Sequence, residues 1–301
     1  MEIIGNRARW VDILKPTEKD LMWLKKTYRL HPIIVQELQS PSIRGKIESH
    51  GTYLYLIYYF PVYDPEERVS RRSEIDFIIT KRDVITVRYE KVEVFDDLRK
   101  TLSPKSHVLN DTLQLTHKLI ESLLSFQQRQ LHHIREKLEG VSAELFRDRE
   151  SEREKTLLEK ISYLKRDISE YRIIVRPQKH ILESFFNVGC NFLGSNCSVY
   201  FNDLIGEHMK IIDQLEDYRE AVEDYGTTNN QLIHLKNAQV VKTFTILAFL
   251  TFPMMLFAAL FSMNTKDTPI VELPYGFWIV LGIMLVAMIG MYRYFRKRDW
   301  I

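Results

Sequence analysis

The sequence predicts an α/β cytoplasmic domain followed by a long α-helical stalk and two C-terminal transmembrane helices. Strand and helix patterns alternate over residues 1–105, and a later heptad repeat of apolar residues runs toward Pro253 without an intervening proline. Residues 243–261 and 275–292 contain no Asp, Glu, Lys, Arg or His, although charged residues make up 27% of the chain. These observations indicate an integral membrane protein that keeps most of its mass outside the bilayer.

The first predicted unit is the cytoplasmic α/β domain at residues 1–105. Residues 8–14 and 52–63 are rich in aromatic and β-branched side chains and indicate strands, and residues 74–89 indicate a hairpin. Thr17 is the expected N-cap of the first helix, because acidic residues follow it directly. Strands and helices that alternate in this way predict a mixed module.

An antiparallel helical pair is predicted for residues 106–196. Apolar residues recur there at intervals of three and four in two runs, which a charged stretch at residues 147–155 separates. The two runs are Leu113, Ile120, Leu123, Gln127, Leu131, Ile134 and Leu138, then Leu157, Ile161, Leu164, Ile168, Tyr171 and Val175. Pro177 removes a backbone donor, so we expect it to bend the second helix.

The stalk is predicted at residues 197–242. With Leu204 as position a, most a and d sites of the heptads are apolar or aromatic. These sites are Leu204, His208, Ile211, Leu215, Tyr218, Val222, Tyr225, Asn229 and Leu232. Because nothing interrupts the pattern before the first apolar run, we expect one helix to continue from the stalk into the membrane. Stalks placed side by side around a symmetry axis would cover this seam.

Residues 243–261 and 275–295 are the predicted membrane spans, joined by a loop at 262–274 and followed by a basic tail at 296–301. About 20 apolar residues in a helix cross a bilayer. Basic residues flank the outer ends of this hairpin at Lys236, Lys242, Arg293, Arg296, Lys297 and Arg298. The N-terminal residues lack the pattern of a secretory signal. We therefore expect a multi-pass protein of the inner membrane with both termini in the cytoplasm.

Composition and motifs argue against several other functions. Acidic and basic residues nearly cancel at a net charge of +2, so nucleic acid is not expected as a partner. Cys190 and Cys197 fit no zinc-binding spacing and favour a reducing compartment. The adjacent His132 and His133 point in different directions on a helix, which disfavours a metal site there. Without a phosphate loop or a nucleophile elbow, neither catalysis nor a cofactor is indicated.

The first span ends in Phe261-Ser262-Met263-Asn264, downstream of Pro253. This segment is similar to the Tyr-Gly-Met-Asn motif that follows a proline-containing helix in the CorA family of magnesium transporters. The C-terminal residues RKRDWI and the stretch HPIIVQELQSPSIRGKIESHGTYLYLIYY resemble that family as well. The resemblance covers nearly the whole chain. It implies a funnel-shaped homopentamer in the lipid bilayer, with Mg²⁺ or other divalent cations as substrate and regulator.

The resemblance also implies which residues form the ion pathway. Asn264 would place a ring of carboxamides at the outer mouth, where amide oxygens accept hydrogen bonds from the waters of hydrated Mg²⁺. Asp267 and Glu272 in the loop would add negative potential. The positions that match the family's pore-lining face are Ala238, Val241, Phe244, Thr245, Phe252, Met255 and Ala259. The two phenylalanines and the methionine among them are candidate constrictions, because apolar rings can gate a pore by dewetting.

Ser262 departs from the family pattern, which has glycine at this position. Glycine adopts backbone angles that serine adopts only at a cost, so either Ser262 fits the same turn with strain or the outer mouth and its ion differ. Zinc-transporting relatives also vary this motif. The first alternative is therefore proton-coupled Zn²⁺ transport on the same fold, whereas the primary prediction is Mg²⁺, with Co²⁺ and Ni²⁺ as further ions. A membrane-anchored sensory or structural protein without transport is the second alternative.

Members of the family sense cytosolic metal through carboxylates that bridge neighbouring subunits. Counting back from Asn264 without gaps places Asp203 at one such stalk position. Its partner is expected in the α/β domain, where Asp64, Glu66 and Glu67 occupy a turn. Metal that bridges subunits would hold the channel closed, and loss of the metal would release them.

Overall fold

The structure is a computed structural model that describes residues 2–5, 7–102, 110–147, 151–194, 196–263 and 275–298. Within these ranges one sheet contains the strands β1 (Glu2–Ile4), β2 (Arg9–Leu14), β3 (Lys46–Ser49), β4 (Tyr53–Asp64), β5 (Val69–Thr80) and β6 (Asp83–Arg88). The helices are α1 (Glu18–Tyr28), α2 (Pro32–Glu37), α3 (Glu93–Thr101), α4 (Thr112–Leu145), α5 (Ser151–Val175), α6 (Gln178–Leu193), α7 (Cys197–Ser262) and α8 (Gly276–Lys297). The chain divides into two compact units, Met1–Gly226 and Thr227–Ile301.

The sheet has the strand order β1-β2-β6-β5-β4-β3. β2 and β6 are parallel, and the other neighbouring pairs are antiparallel. β5 and β6 form the predicted hairpin, with Lys81 and Arg82 between them. Much of β4 and β5 is buried at consecutive positions, because helices cover both faces of the sheet. This double cover explains why β4 is aromatic or apolar at consecutive positions, whereas β5 is polar over residues 70–74 and apolar mainly in its second half.

Two hydrophobic layers lie on the two faces of the sheet. Leu24 and Ile34 of α1 and α2 pack with Tyr55 on one face. On the other face, Phe60 and Phe77 of the sheet pack with residues of α3 to α7. Full burial of each such side chain stabilises the fold by about 1.5–3 kcal/mol. The α/β domain predicted from the sequence is confirmed.

A buried ionic network joins β2, β6 and α3. Asp12 accepts hydrogen bonds from Nη2 of Arg88 at 2.8 Å and from Oγ1 of Thr86 at 2.7 Å, and it also pairs with Arg99. Thr86 in turn accepts a hydrogen bond from the indole of Trp10 at 2.9 Å. The side chains of Asp12 and Arg88 are only 3% and 1% exposed, so each depends on the other for charge compensation.

Local signals set the ends of the helices. Thr17 caps α1 as predicted: its side chain accepts from the backbone N–H of Asp20, whose carboxylate accepts from the Thr17 N–H. Pro177 does more than the predicted bend, since α5 ends at Val175 and α6 begins at Gln178. Proline cannot donate to the helix and its ring crowds the preceding turn. The segment predicted as a helical pair therefore contains a third helix.

Helix α7 is continuous over 66 residues, which confirms the predicted long helix. Within the unit Met1–Gly226, the heptad sites Leu204, Ile211, Leu215 and Val222 are buried in the same core as the sheet and the other helices. The prediction that neighbouring stalks cover this seam is therefore wrong for this segment. A heptad pattern reports that one face of a helix is packed, and it does not identify the partner.

His208 lies in the same seam, and its side chain is fully buried. Neither ring nitrogen makes a well-formed hydrogen bond within the described residues, and the backbone of Val175 is the polar group beside the ring. Burial lowers the pKa of His208 from the ordinary value of 6.5 to about 4, because desolvation penalises the charged ring. The imidazole is therefore neutral in the folded chain at neutral pH.

Acidification is expected to destabilise the fold through His208. As the pH falls from 6.5 toward 4, the unfolded chain takes up a proton that the folded chain excludes, so the free energy of unfolding decreases by up to about 3 kcal/mol. Urea denaturation at neutral and acidic pH measures this loss, and His208→Leu should remove most of it. The control is His180→Leu at an exposed site on α6. Equal pH dependence in the two variants would contradict this role for His208.

The turn between α6 and α7 contains both cysteines of the chain. Gly194 ends α6 with a φ of 113°, a conformation that side-chain-bearing residues rarely adopt. The Cα atoms of Cys190 and Cys197 lie 5.4 Å apart, and a disulfide joins the two residues. The sequence analysis favoured a reducing compartment, where cysteines usually remain unpaired. The structure instead pairs them, because the turn brings the two residues within disulfide range, which their spacing alone does not reveal.

Candidate functional site

Two helices of the unit Thr227–Ile301 are long and apolar enough to cross a membrane: the C-terminal part of α7 and α8. The 22 residues of α8 extend about 33 Å, slightly more than the hydrocarbon core of a bilayer. The hydroxyls of Thr243, Thr245 and Thr251 donate to carbonyl oxygens one turn earlier, at 2.8–3.0 Å. These polar groups are therefore satisfied within the helix, as an apolar environment requires.

Each of the two helices has one stripe of reduced exposure. On α7 the stripe contains Ile246, Leu250, Pro253, Phe257 and Phe261. On α8 it contains Val280, Met284, Ala287, Met291 and Phe295. The rings of Phe249 and Phe295 lie 6.3 Å apart, and this aromatic contact joins the two helices. Both apolar segments are otherwise largely uncovered within the described residues.

The predicted pore-lining residues lie on the opposite side of α7. At about 100° per residue, their mean direction is roughly 180° from that of the packed stripe. Exposure of the large members is high: Val241 63%, Phe244 67%, Phe252 71% and Met255 68%. Ala238 and Ala259 are exposed as well, and Thr245 is half-buried. This uncovered face is mostly apolar and runs the length of the membrane segment.

The motif that carries the family resemblance lies at the C-terminal end of α7. Ser262 is the last helical residue, and its Oγ donates to the carbonyl of Ala259 at 2.9 Å. Its backbone φ is not positive, so serine replaces glycine here without left-handed strain. Met263 follows with 56% of its surface exposed. Asn264, Asp267 and Glu272 lie outside the described residues.

The proposed regulatory residue Asp203 is half-exposed on α7 within the unit Met1–Gly226. Its Oδ2 lies 2.8 Å from Nε2 of His117 on α4. Their side chains are 54% and 16% exposed, and the His117 ring also makes an edge contact with Tyr200 at 5.2 Å. Sequence reasoning missed His117, because 86 positions separate it from Asp203 and no local pattern connects them.

The three candidate partners of Asp203 form the turn between β4 and β5. Asp64 caps this turn by accepting from the backbone N–H groups of Glu66 and Glu67 at 3.0 and 3.3 Å. Glu66 and Glu67 themselves are exposed. Within the described part of the chain, no group of three or more His, Cys, Asp or Glu side chains is placed to hold a metal. One chain therefore does not present a complete metal site in these regions.

Comparison with known proteins agrees with this architecture. The family model for the CorA-like Mg2+ transporter protein matches residues 5–297. The Cobalt/magnesium transport protein CorA of Thermotoga maritima is 22% identical over 295 residues, which cover 97% of this chain and 83% of that protein. The protein of the same name from Methanocaldococcus jannaschii is 21% identical over 298 residues, which cover 98% and 92% of the two proteins. The complete structure of the CorA magnesium transporter from that organism has a TM-score of 0.85 at 20% identity, with 98% and 92% coverage.

Proposed function

The chain belongs to the family of CorA-like Mg²⁺ transporter proteins, and from that premise we propose that it conducts divalent cations, with Mg²⁺ as the principal ion, through a homo-oligomeric pore. The observation that supports this most directly is the long apolar surface of α7 that no other described element covers. Two helices cannot enclose an aqueous path alone, because a pore needs walls on all sides. Copies of the chain around an axis would provide those walls, and the family resemblance favours five.

The pathway that we propose is narrow and apolar along α7. Rings of Phe244, Phe252 and Met255 would form constrictions that close by losing water. Asn264 would form the outer mouth, and its amide oxygens would hold the hydration shell of an ion that gives up water reluctantly. Asp267 and Glu272 would raise the local cation concentration. The basic residues that flank the hairpin favour an orientation with both termini in the cytoplasm.

Ion flux through purified protein in liposomes tests the proposal. We expect Mg²⁺ uptake that depends on the protein, together with uptake of Co²⁺ or Ni²⁺. The assay compares these ions with Zn²⁺, with and without a pH gradient, because hydrated Zn²⁺ exchanges water more readily and prefers nitrogen and sulfur ligands. A Zn²⁺ flux that follows the pH gradient in the absence of Mg²⁺ flux would refute the Mg²⁺ assignment and support the alternative transporter.

Regulation through Asp203 is a further part of the proposal. We expect Asp203→Ala to raise the Mg²⁺ concentration that half-inhibits flux by about 10-fold, because one carboxylate ligand of the closing metal is lost. Flux titrated with Mg²⁺ on the cytosolic side measures the shift. Asp213→Ala removes the same charge from an exposed position of the same helix and is the control. If Mg²⁺ inhibits the two variants at the same concentration, Asp203 does not take part in closure by cytosolic metal.

A further inference from the structure

A basic pocket lies in the unit Met1–Gly226, with a cavity of about 690 Å³. Its walls come from the segment after α2, from the first residues of β5, and from α5, α6 and the turn between them. Arginines contribute most of the charge: Arg44, Arg71, Arg72 and Arg166 line the pocket, against the single acidic residue Glu170. We call this cavity the arginine pocket. The lining residues sum to +3, and among them Arg71 is neutralised by Glu90 and Asp64, which lie outside the lining.

Two of the arginines are held in place by other groups. Arg71 pairs with Glu90 at 2.5 Å, and its Nε lies 3.7 Å from Asp64. Arg72 donates to the carbonyl of Ile43 at 3.2 Å, and its guanidinium stacks 4.6 Å from the centroid of the Tyr59 ring. Arg72 therefore has a fixed direction and keeps donors that no carboxylate occupies.

The other two arginines, Arg44 and Arg166, make neither an ion pair nor a side-chain hydrogen bond with any residue that the structure describes. Both are exposed, and they come from segments more than 100 positions apart in the sequence. Their guanidinium donors are therefore available to an anion, and exposed like charges in water repel each other by only about 1 kcal/mol at 4 Å. A guanidinium presents a planar fork of donors that matches phosphate oxygens two at a time.

Apolar groups complete the pocket beside this charge. Ile43 and Ile173 are 91% and 66% exposed, which is unusual for isoleucine in water. Gly45 lies against the wall, where an added Cβ would be 3.3 Å from the Ile57 carbonyl oxygen and 3.6 Å from Ile181. The wall is therefore tightly packed, and the cavity is much larger than one phosphate ion needs. A ligand that fills it would combine several negative charges with an apolar or planar body.

We propose that the arginine pocket binds a nucleoside diphosphate or triphosphate. A terminal phosphate carries about −1.5 to −2 charges at pH 7, so two or three linked phosphoryl groups provide enough negative charge to pair with Arg44, Arg72 and Arg166. The base and sugar would lie against the isoleucines. This inference does not depend on ion conduction, because it concerns equilibrium binding to residues outside the proposed pore.

Isothermal titration calorimetry on the full-length protein in detergent tests the proposal. The probes are ATP, ADP, AMP and tripolyphosphate, each without Mg²⁺ and then with excess Mg²⁺. We expect saturable binding of ATP and ADP that weakens as salt is added, and binding of AMP that is about 10-fold weaker because one phosphoryl group is missing. Tripolyphosphate that binds as tightly as ATP would overturn the assignment to a nucleotide, since the apolar wall would then be unused.

The double variant Arg44→Gln/Arg166→Gln should weaken ATP binding by about 100-fold, or roughly 10-fold for each charge-assisted contact. The control Arg7→Gln/Arg82→Gln removes the same charge from exposed positions outside the pocket and should bind as the parent protein does. Unchanged binding in the pocket variant would overturn the proposal. The proposal would also be overturned if the pocket variant lost its oligomeric state but still bound ATP, because the arginines would then contact a second copy of the chain.

Discussion

Replacing Asn264 by alanine is expected to reduce divalent-cation flux by about two orders of magnitude. A hydrogen bond that a carboxamide oxygen accepts from the ion's water contributes about 0.5–1.5 kcal/mol, so removing the five carboxamides of the proposed pentamer raises the barrier for a hydrated ion by about 3 kcal/mol or more. Each 1.4 kcal/mol corresponds to a factor of ten. Alanine cannot hold the ion's water, and the energy of the ion at the mouth rises accordingly. Initial rates of Mg²⁺ uptake into liposomes measure the effect.

The control for this variant is Asn191→Ala. The amide of Asn191 donates to the Asn187 carbonyl at 3.1 Å on an exposed part of α6, so its loss should leave the flux unchanged. If the parent protein and Asn264→Ala both show only the background rate of uptake, the protein does not transport ions. That result would support the second alternative, a membrane-anchored protein without transport. If Asn264→Ala keeps a substantial part of the parent flux, the carboxamide ring is not required for conduction.

Asp12→Ala is expected to lower the free energy of unfolding by about 3–5 kcal/mol. The substitution leaves the buried guanidinium of Arg88, which is 1% exposed, with only the more distant carboxylate of Asp96 at 3.9 Å, and a poorly compensated buried charge is costly. Thr86 and Arg99 lose an acceptor as well. Urea denaturation of the detergent-solubilised chain, followed by tryptophan fluorescence, reports this loss, because Trp10 is buried beside the network.

Asp97→Ala provides a matched control for Asp12→Ala. Asp97 lies on α3 with its side chain 70% exposed, 3.4 Å from Lys100. A surface pair of this kind contributes little, so the expected change is within about 0.5 kcal/mol. A similar change in both variants would show that the charge of Asp12 is compensated by solvent and not by Arg88.

The sequence predicted the architecture well because its signals were local. Charge-free runs, the capping residue Thr17 and the aromatic strands each depend on neighbours in the chain, and the fold confirms them. The partner of the stalk seam could not be predicted in the same way. Periodicity identifies Leu204 and Ile211 as buried, but it does not reveal that their own domain covers them. The effect of Pro177 was underestimated for a similar reason, since packing decides whether a helix bends or ends.

The candidate site was only partly predictable. The pore-lining positions came from a family resemblance, and their exposure does not single them out, because Leu247, Leu256 and Leu260 on other sides of α7 are exposed as well. The contact between Asp203 and His117 had no signal in the sequence, because it depends on how α4 packs against α7. Asn264 and the two loop carboxylates lie outside the described residues, so their roles remain proposals that flux measurements must test.

The helical backbone at Ser262 bears on how strictly the protein selects ions by size. Serine favours a helix over glycine by a few tenths of a kcal/mol, and the bond from its Oγ to Ala259 fastens the final turn. A glycine would let the chain that leads to Asn264 sample more conformations. We therefore expect a stiffer outer ring that adapts less to ions of different radius. Under this view, the substitution sharpens discrimination among divalent cations and leaves the choice of coordinating atoms unchanged.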